Sequence, residues 1–250
     1  MTRIDKVLER AGLSKTEGVI IHKPSNIFYL SGYTGEGLLV FGHGFKAIIT
    51  DFRYTEQAEN QAPGFQVLMV GKGVSHVMLA KKVFDENGVT AARFEDDEVT
   101  VRAFRKMEEV LAAISLSPLN LVPEQVRRIK DEEEIAAIEE ACAISCKAFD
   151  ALLPHIKVGV TEKQLQIILD NLLLEMGADG LAFDTIVASG ENGSLPHAIP
   201  GPRQIQQGDM ITFDFGAKKH GYCADMTRTV SVGQPKEEMR VIYETVLKAQ

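Results

Sequence analysis

The stretch from Gly208 to Val230 places the tightest constraint on how this chain folds. Ile211, Phe213 and Phe215 alternate with Thr212, Asp214 and Gly216. That is the period-two pattern of a strand with one apolar and one polar face. The polar segment Lys218-Lys219-His220-Gly221 then turns the chain. On the return, Asp225, Thr227 and Thr229 share one face. A turn centred between Lys219 and His220 sets Asp214 directly across from Asp225. Opposed Cβ atoms lie about 4.5–5.5 Å apart, where like charges destabilise a sheet. Two carboxylates so placed call for a proton or a cation between them. Oxygen ligands of this kind suit Mg, Mn or Ca and can share in Zn or Co sites. Two metals about 3.5–4 Å apart form the two-metal hydrolase arrangement. The competing reading is a surface hairpin with two solvated aspartates. The apolar residues interleaved with Asp214 weigh against a wholly solvated strand.

The rest of the chain bounds the setting. Its 250 residues suffice for one large domain or two ordinary ones. A net charge of −8 gives no basic footprint for nucleic acid. The three cysteines are too few and too unevenly counted for a disulfide scaffold, which points to a reducing cytosol. The first residues carry no apolar signal core, and no apolar run approaches the ~20 residues that cross a bilayer. The expectation is a soluble, cytoplasmic protein with neither a nucleic-acid nor a membrane partner.

Apolar and polar segments alternate through the first half as in an α/β domain. A short helix over 2–11 precedes strands at Glu17–Ile21, Gly37–Phe41 and Phe45–Thr50, the last two joined by Gly42-His43-Gly44. Helices over 52–61, 75–87 and 100–114 alternate with strands over 65–70 and 90–94. His22, His43 and His76 have no ligand spacing to one another and read as surface or turn histidines. Near Leu121-Val122-Pro123-Glu124 the pattern breaks. A long helix follows, with Asp131 as its cap and Glu134 three residues on as a capping box. Its apolar stripe is Ile135, Ile138, Cys142, Cys146 and Phe149. The expected organisation is a domain over 1–122, a linker over 123–130 and a second domain over 131–250. In the second domain Thr161 caps a helix over 162–176, a strand covers 183–188, and Pro196-His197-Ala198 follows a glycine-rich turn.

Several segments resemble the "pita-bread" metallopeptidase superfamily, in its Xaa-Pro aminopeptidase and prolidase branch. They are Phe183 through Gly190, Pro196-His197-Ala198, Asp214-Phe215-Gly216 and Asp225-Met226-Thr227-Arg228-Thr229. Arg128-Ile129-Lys130 with Glu134-Ile135 is similar to that branch's linker. Pro24-Ser25-Asn26-Ile27, Tyr29-Leu30-Ser31-Gly32 and Thr50-Asp51-Phe52-Arg53-Tyr54 are similar to its creatinase-like N-terminal domain. The resemblance implies an α/β N-terminal domain followed by an α+β pita-bread catalytic domain. It also implies a dinuclear exopeptidase that cleaves peptides or dipeptides with proline in the second position, working as a homodimer. Asp214 would bind one metal, Asp225 would bridge two, and a metal-bound hydroxide would attack the scissile carbonyl. His197 would lie beside the substrate. Thr227 and Thr229 would orient the carboxylates. Mn or Co are the metals first implied, with Zn or Fe also compatible.

One departure stands out. The family's site also uses a His and two Glu downstream. After Asp225 the only acidic residues are Glu237, Glu238 and Glu244, and no His follows. The expectation is a chain cut short, its catalytic domain incomplete and inactive alone. Two alternatives share the fold: a creatinase-like C–N hydrolase, which works without metal, and a non-enzymatic binding module, which usually loses the aspartates. Aminopeptidase and dipeptidase remain open.

Overall fold

The computed structural model describes residues 1–250, which divide into two compact units, Met1–Ile129 and Lys130–Gln250. The first unit is α/β. Its chain runs α1 (Arg3–Ala11), β1 (Glu17–Ile21), α2 (Pro24–Ser31), β2 (Leu38–Gly42), β3 (Phe45–Thr50), α3 (Thr55–Gln61) and β4 (Gln66–Met69). It continues through α4 (His76–Glu86), β5 (Ala91–Phe94), α5 (Val101–Val110), β6 (Ser115–Pro118) and α6 (Val122–Arg127).

The six strands form one sheet in the order β4-β3-β2-β1-β5-β6. All pairs are parallel except those of β2, which runs against both of its neighbours. Alternate residues of the central strands feed two separate cores. Val19, Ile21, Leu39, Phe41 and Ile48 pack with α1, α2, α3 and α6 on one face. Ile20, Val40, Ala47, Ile49 and Ala92 pack with α4 and α5 on the other. That two-sided cover is why these strands read as nearly unbroken apolar runs.

Two short elements here run against the sequence reading. The residues expected to form a linker from 123 onward are instead α6, whose Val122 and Val126 are buried in the first core. The helix expected over 100–114 stops at Val110, because the chain turns there to add β6 at the sheet edge. Pro118, which has no N–H to give, ends that strand at the edge of the sheet, where such a residue is tolerated.

The second unit runs α7 (Glu132–Leu152), α8 (Glu162–Glu175), β7 (Gly180–Leu181), β8 (Ile186–Ser189), β9 (Met210–Phe215), β10 (Ala217–Lys219), β11 (Tyr222–Cys223), β12 (Met226–Ser231) and α9 (Glu237–Ala249). It carries two small antiparallel sheets, β12-β9-β8 and β11-β10-β7. Both α7 and α8 begin with complete capping boxes, Asp131 with Glu134 and Thr161 with Gln164. Of the expected stripe only Phe149 is buried: Ile135 and Cys146 of α7 are exposed, and the buried face is Glu134, Ala137, Ala141, Ile144, Ser145, Ala148, Phe149 and Leu152. The small residues on that face let α7 lie close to β10, where the Ala217 amide donates to Ser145 Oγ at 3.0 Å. Phe149 packs against both Phe213 and Phe215, with ring centroids 5.6 and 5.5 Å away. No helix is long and apolar enough to cross a membrane.

Candidate functional site

Ile211, Phe213 and Phe215 of β9 are fully buried, while Thr212 and Asp214 on its other face are half-buried. The period-two reading of this strand therefore agrees with its environment. The register differs. β12 pairs with β9 so that Thr227, not Asp225, stands opposite Asp214, and Met226 stands opposite Phe215. On the other flank Ile186 of β8 faces Asp214. The turn is centred one residue later than the polar run suggests. His220 and Gly221 both adopt left-handed conformations, with φ of 50° and 81°, between the paired residues Lys219 and Tyr222. Two consecutive positive φ angles make the two-residue primed turn that suits hairpin twist. Asn or Asp commonly fills its first position; here a histidine does.

This register changes the geometry of the carboxylates. Ala224 and Met226 are buried while Asp225 and Thr227 are exposed, so Asp225 shares the Thr227 side of the chain. It is therefore a diagonal neighbour of Asp214, a relation that in a regular pair sets Cβ atoms roughly 7–8 Å apart or somewhat less. Asp225 itself lies at the joint between the two small sheets. Its counterpart across that joint is Gly216, where a Cβ would overlap the Ala224 carbonyl. Only glycine allows the two strands to approach so closely. Thr227 Oγ1 donates to Asp214 Oδ1 at 3.1 Å, which fixes one carboxylate oxygen. Thr229 Oγ1 lies 3.1 Å from Thr212 Oγ1, and no hydrogen bond joins it to either aspartate.

His197 is exposed on the loop between β8 and β9. No hydrogen bond joins it to Asp214, Asp225 or the threonines. The stem of its loop is held at the start of α8: the Glu162 amide donates to the Arg203 carbonyl at 3.1 Å, and the Lys163 amide to the Gly201 carbonyl at 3.1 Å. These are two of the N–H groups that a helix leaves without internal partners. Nearby, Arg203 grips Asp209 through two contacts of 2.6 and 3.1 Å. Burial alone would raise the Asp209 carboxyl, but the Arg203 hydrogen bonds and the Gln206 amide outweigh it and hold the group below its ordinary range.

The donor set is partial. Asp214 and Asp225 supply carboxylate oxygens of the hard type that divalent cations take. Nowhere in the chain do three or more His, Cys, Asp or Glu gather in a way that could hold a metal ion. The fit is thus right in kind and short in number.

A second group brings together residues that the sequence reading keeps apart, His22 and His76 standing there as separate surface or turn histidines. In the first unit, a cleft of about 290 Å³ is lined by His22, Glu36, Asp51 and His76. His22 follows β1, Asp51 follows β3, and His76 opens α4, so all three lie at the carboxyl ends of parallel strands or just beyond. Such crevices are the usual ligand sites of open α/β sheets. Burial pulls His22 down to about 4 and also lowers His76. Three residues separated by tens of positions carry no local signal. Only the strand order brings them together.

Comparison with known proteins follows the same two-part division. The profile of metallopeptidase family M24 matches residues 136–250, and that of the creatinase/prolidase N-terminal domain matches residues 3–129. An uncharacterized peptidase of Bacillus subtilis, YqhT, is 37% identical over 249 residues, spanning 99% of this chain and 70% of that protein. Among solved structures, an Xaa-Pro dipeptidase from Bacillus anthracis superposes with a TM-score of 0.90 at 33% identity, covering 99% of this chain and 69% of its own. An X-Pro aminopeptidase from Thermotoga maritima superposes with a TM-score of 0.87, also at 33% identity, covering 96% and 70%.

Proposed function

Because this chain belongs to metallopeptidase family M24 and carries a creatinase/prolidase N-terminal domain, we propose that it acts in metal-dependent exopeptidase chemistry on peptides with proline in the second position. A dipeptidase and an aminopeptidase stand at the same 33% identity to it, so the reading is kept at Xaa-Pro exopeptidase. One observation carries the assignment to particular residues. Asp214 sits on the central strand of its sheet, between Ile186 and Thr227, with one oxygen fixed by the Thr227 hydroxyl and Asp225 diagonal to it on the same side. A carboxylate fixed in this way can offer its remaining lone pairs to a cation without first reorienting, which is the usual service of an outer hydrogen bond at a metal site.

In this reading Asp214 and Asp225 hold divalent metal, Mn or Co foremost, and His197 contacts the substrate from its loop. The family's metals supply Lewis-acid polarisation of the scissile carbonyl. This chain contributes the rigid strand that presents Asp214, the hydroxyl that orients it, and the loop that carries His197. Thr229, bonded to Thr212 instead, supports the strand pairing and not the carboxylates. With only two carboxylates gathered, binding of a single Mn²⁺ is expected to be weak, on the order of 10⁻⁴ M or weaker.

Titration with Mn²⁺ followed by electron paramagnetic resonance tests this. Asp214→Asn and Asp225→Asn should each weaken binding at least about tenfold, since each removes one of two charged ligands. Thr227→Val should weaken it less. Unchanged affinity in both aspartate variants would rule out this site. Release of free amino acid from an Xaa-Pro dipeptide, or of the first residue from a longer Xaa-Pro peptide, by the protein with Mn²⁺ then separates the two specificities.

A further inference from the structure

We propose that Glu162 is the positioning residue for the loop that offers His197 to substrate, an inference that rests on the reading of His197 given above. Glu162 is the first residue of α8 and is only 1% exposed. It lies outside the apolar core of its unit, and its carboxylate is enclosed by donors from a single loop. Oε1 accepts the Ser189 amide at 2.8 Å, the Ser189 hydroxyl at 2.7 Å and Asn192 Nδ2 at 3.0 Å. Oε2 accepts Asn192 Nδ2 at 3.2 Å and the Gly201 amide at 3.3 Å.

These donors are distributed in a telling way. Ser189 is the last residue of β8, where the loop begins. Asn192 is in the helical turn Gly190–Ser194. Gly201 is where the loop returns to α8. One carboxylate therefore holds the entrance, the first turn and the exit of the segment that carries His197. Between those anchors the chain is braced by two short backbone bonds, Leu195 N–H to the Asn192 carbonyl and Ala198 N–H to the Leu195 carbonyl, at 3.0 and 3.2 Å. The Ser189 hydroxyl, which donates to Glu162, also accepts from Arg203 Nη1 at 2.7 Å, and Arg203 is itself fixed by Asp209. The position of the anion at the start of α8 is favoured by the helix dipole. Hydrogen bonds to an ionised acceptor are stronger than neutral ones, so a carboxylate suits this task better than an amide.

The alternative is that Glu162 is a general stability group whose loss loosens the whole unit. Two variants separate these. Glu162→Gln keeps the shape but places an amide where the donors need an acceptor. Asn192→Ala removes one arm of the clamp at a half-buried loop position and leaves the buried carboxylate in place. Amide hydrogen exchange is measured across the unit, and the His197 imidazole is followed by NMR during titration with the dipeptide Ala-Pro. The expected result is exchange on the order of tenfold faster, or more, over Gly190–Gly201 in Glu162→Gln, with a smaller increase in Asn192→Ala. Exchange at Phe213 and Asp214 should stay as in the parent. The His197 response to Ala-Pro should be lost or reduced in Glu162→Gln. Unchanged loop exchange in both variants overturns the proposal. So does acceleration of β8 and β9 equal to that of the loop in Glu162→Gln. A parent protein whose His197 ignores Ala-Pro sinks the substrate reading of His197 and this proposal with it. A responsive parent with an equally responsive Glu162→Gln sinks this proposal alone.

Discussion

Within the residues described, the sheets of the two units carry different cover. The first places helices on both faces of its six strands, and every residue of β2 is buried. The second covers one face only. Ile211, Phe213 and Phe215 turn toward α7 and α8, while Thr212, Asp214, Thr227 and Thr229 stay on a face with no apolar cover. Its last helix, α9, buries no residue at all, and Val241, Ile242, Val246 and Leu247 are each more than half exposed. The difference shows where each unit concentrates its apolar packing and where it leaves polar groups accessible. In the second unit the accessible face is the one that carries the candidate ligands.

The sharpest way to break this comparison is through the covered face of β9. Phe213→Ala should destabilise the second unit by about 3–5 kcal/mol, because a buried aromatic leaves a cavity that its neighbours fill only partly. Urea unfolding would register this, and a loss under about 1 kcal/mol would mean the face is not packed as described. Next in size is the pH response of the first unit. Burial lowers His22 to about 4, so between that value and 6.5 the folded chain binds fewer protons than the unfolded one. Its contribution is present above pH 6.5 and is lost as pH falls toward 4. His22→Asn should therefore remove roughly 2–3 kcal/mol of the parent's acid destabilisation at pH 4. Neighbouring Glu95 acts with the opposite slope. Burial raises it despite its hydrogen bonds, so the folded state holds its proton longer and loses stability as pH rises above 4.5. Comparing melting temperatures of parent and variant from pH 4 to 7 isolates the His22 share; parallel curves would refute it. The smallest effect belongs to α9. Ile242→Ser should change stability by no more than about 0.5 kcal/mol, as expected for a surface position. A loss like that of Phe213→Ala would show that this face is covered in solution.

Much of the local structure was legible in the residues themselves. The alternation over 211–216, the capping box at Asp131 and the cap at Thr161 depend on neighbours a few positions away, and each appears where its pattern places it. Helix α2 shows the limit of such reasoning. Its cap residue Lys23 makes no side-chain capping bond. Instead Glu95 caps the helix from a distant strand end, accepting the His22 and Lys23 amides at 2.6 and 2.8 Å and Asn26 Nδ2 at 2.6 Å. No local pattern announces a cap supplied by another part of the chain. The face of α7 is a similar case. The expected stripe shares only Phe149 with the buried face, and small residues such as Ser145 are the ones that meet β10.

For the candidate site, the sequence by itself determined that Asp214 and Asp225 lie on one side of a strand pair, with Thr227 beside them. It did so because side-chain parity survives any shift of register by an even number of residues. Its motifs also indicated the family. Only the tertiary structure decided which pairs meet. The left-handed turn at His220-Gly221 moved the register by two, giving Asp214 a threonine partner and leaving Asp225 at the joint made by Gly216. The same holds for His22, Asp51 and His76, and for Glu162 beneath the His197 loop. Those groupings arise from strand order and from buried hydrogen bonds between distant segments, and such bonds form only once the chain has packed.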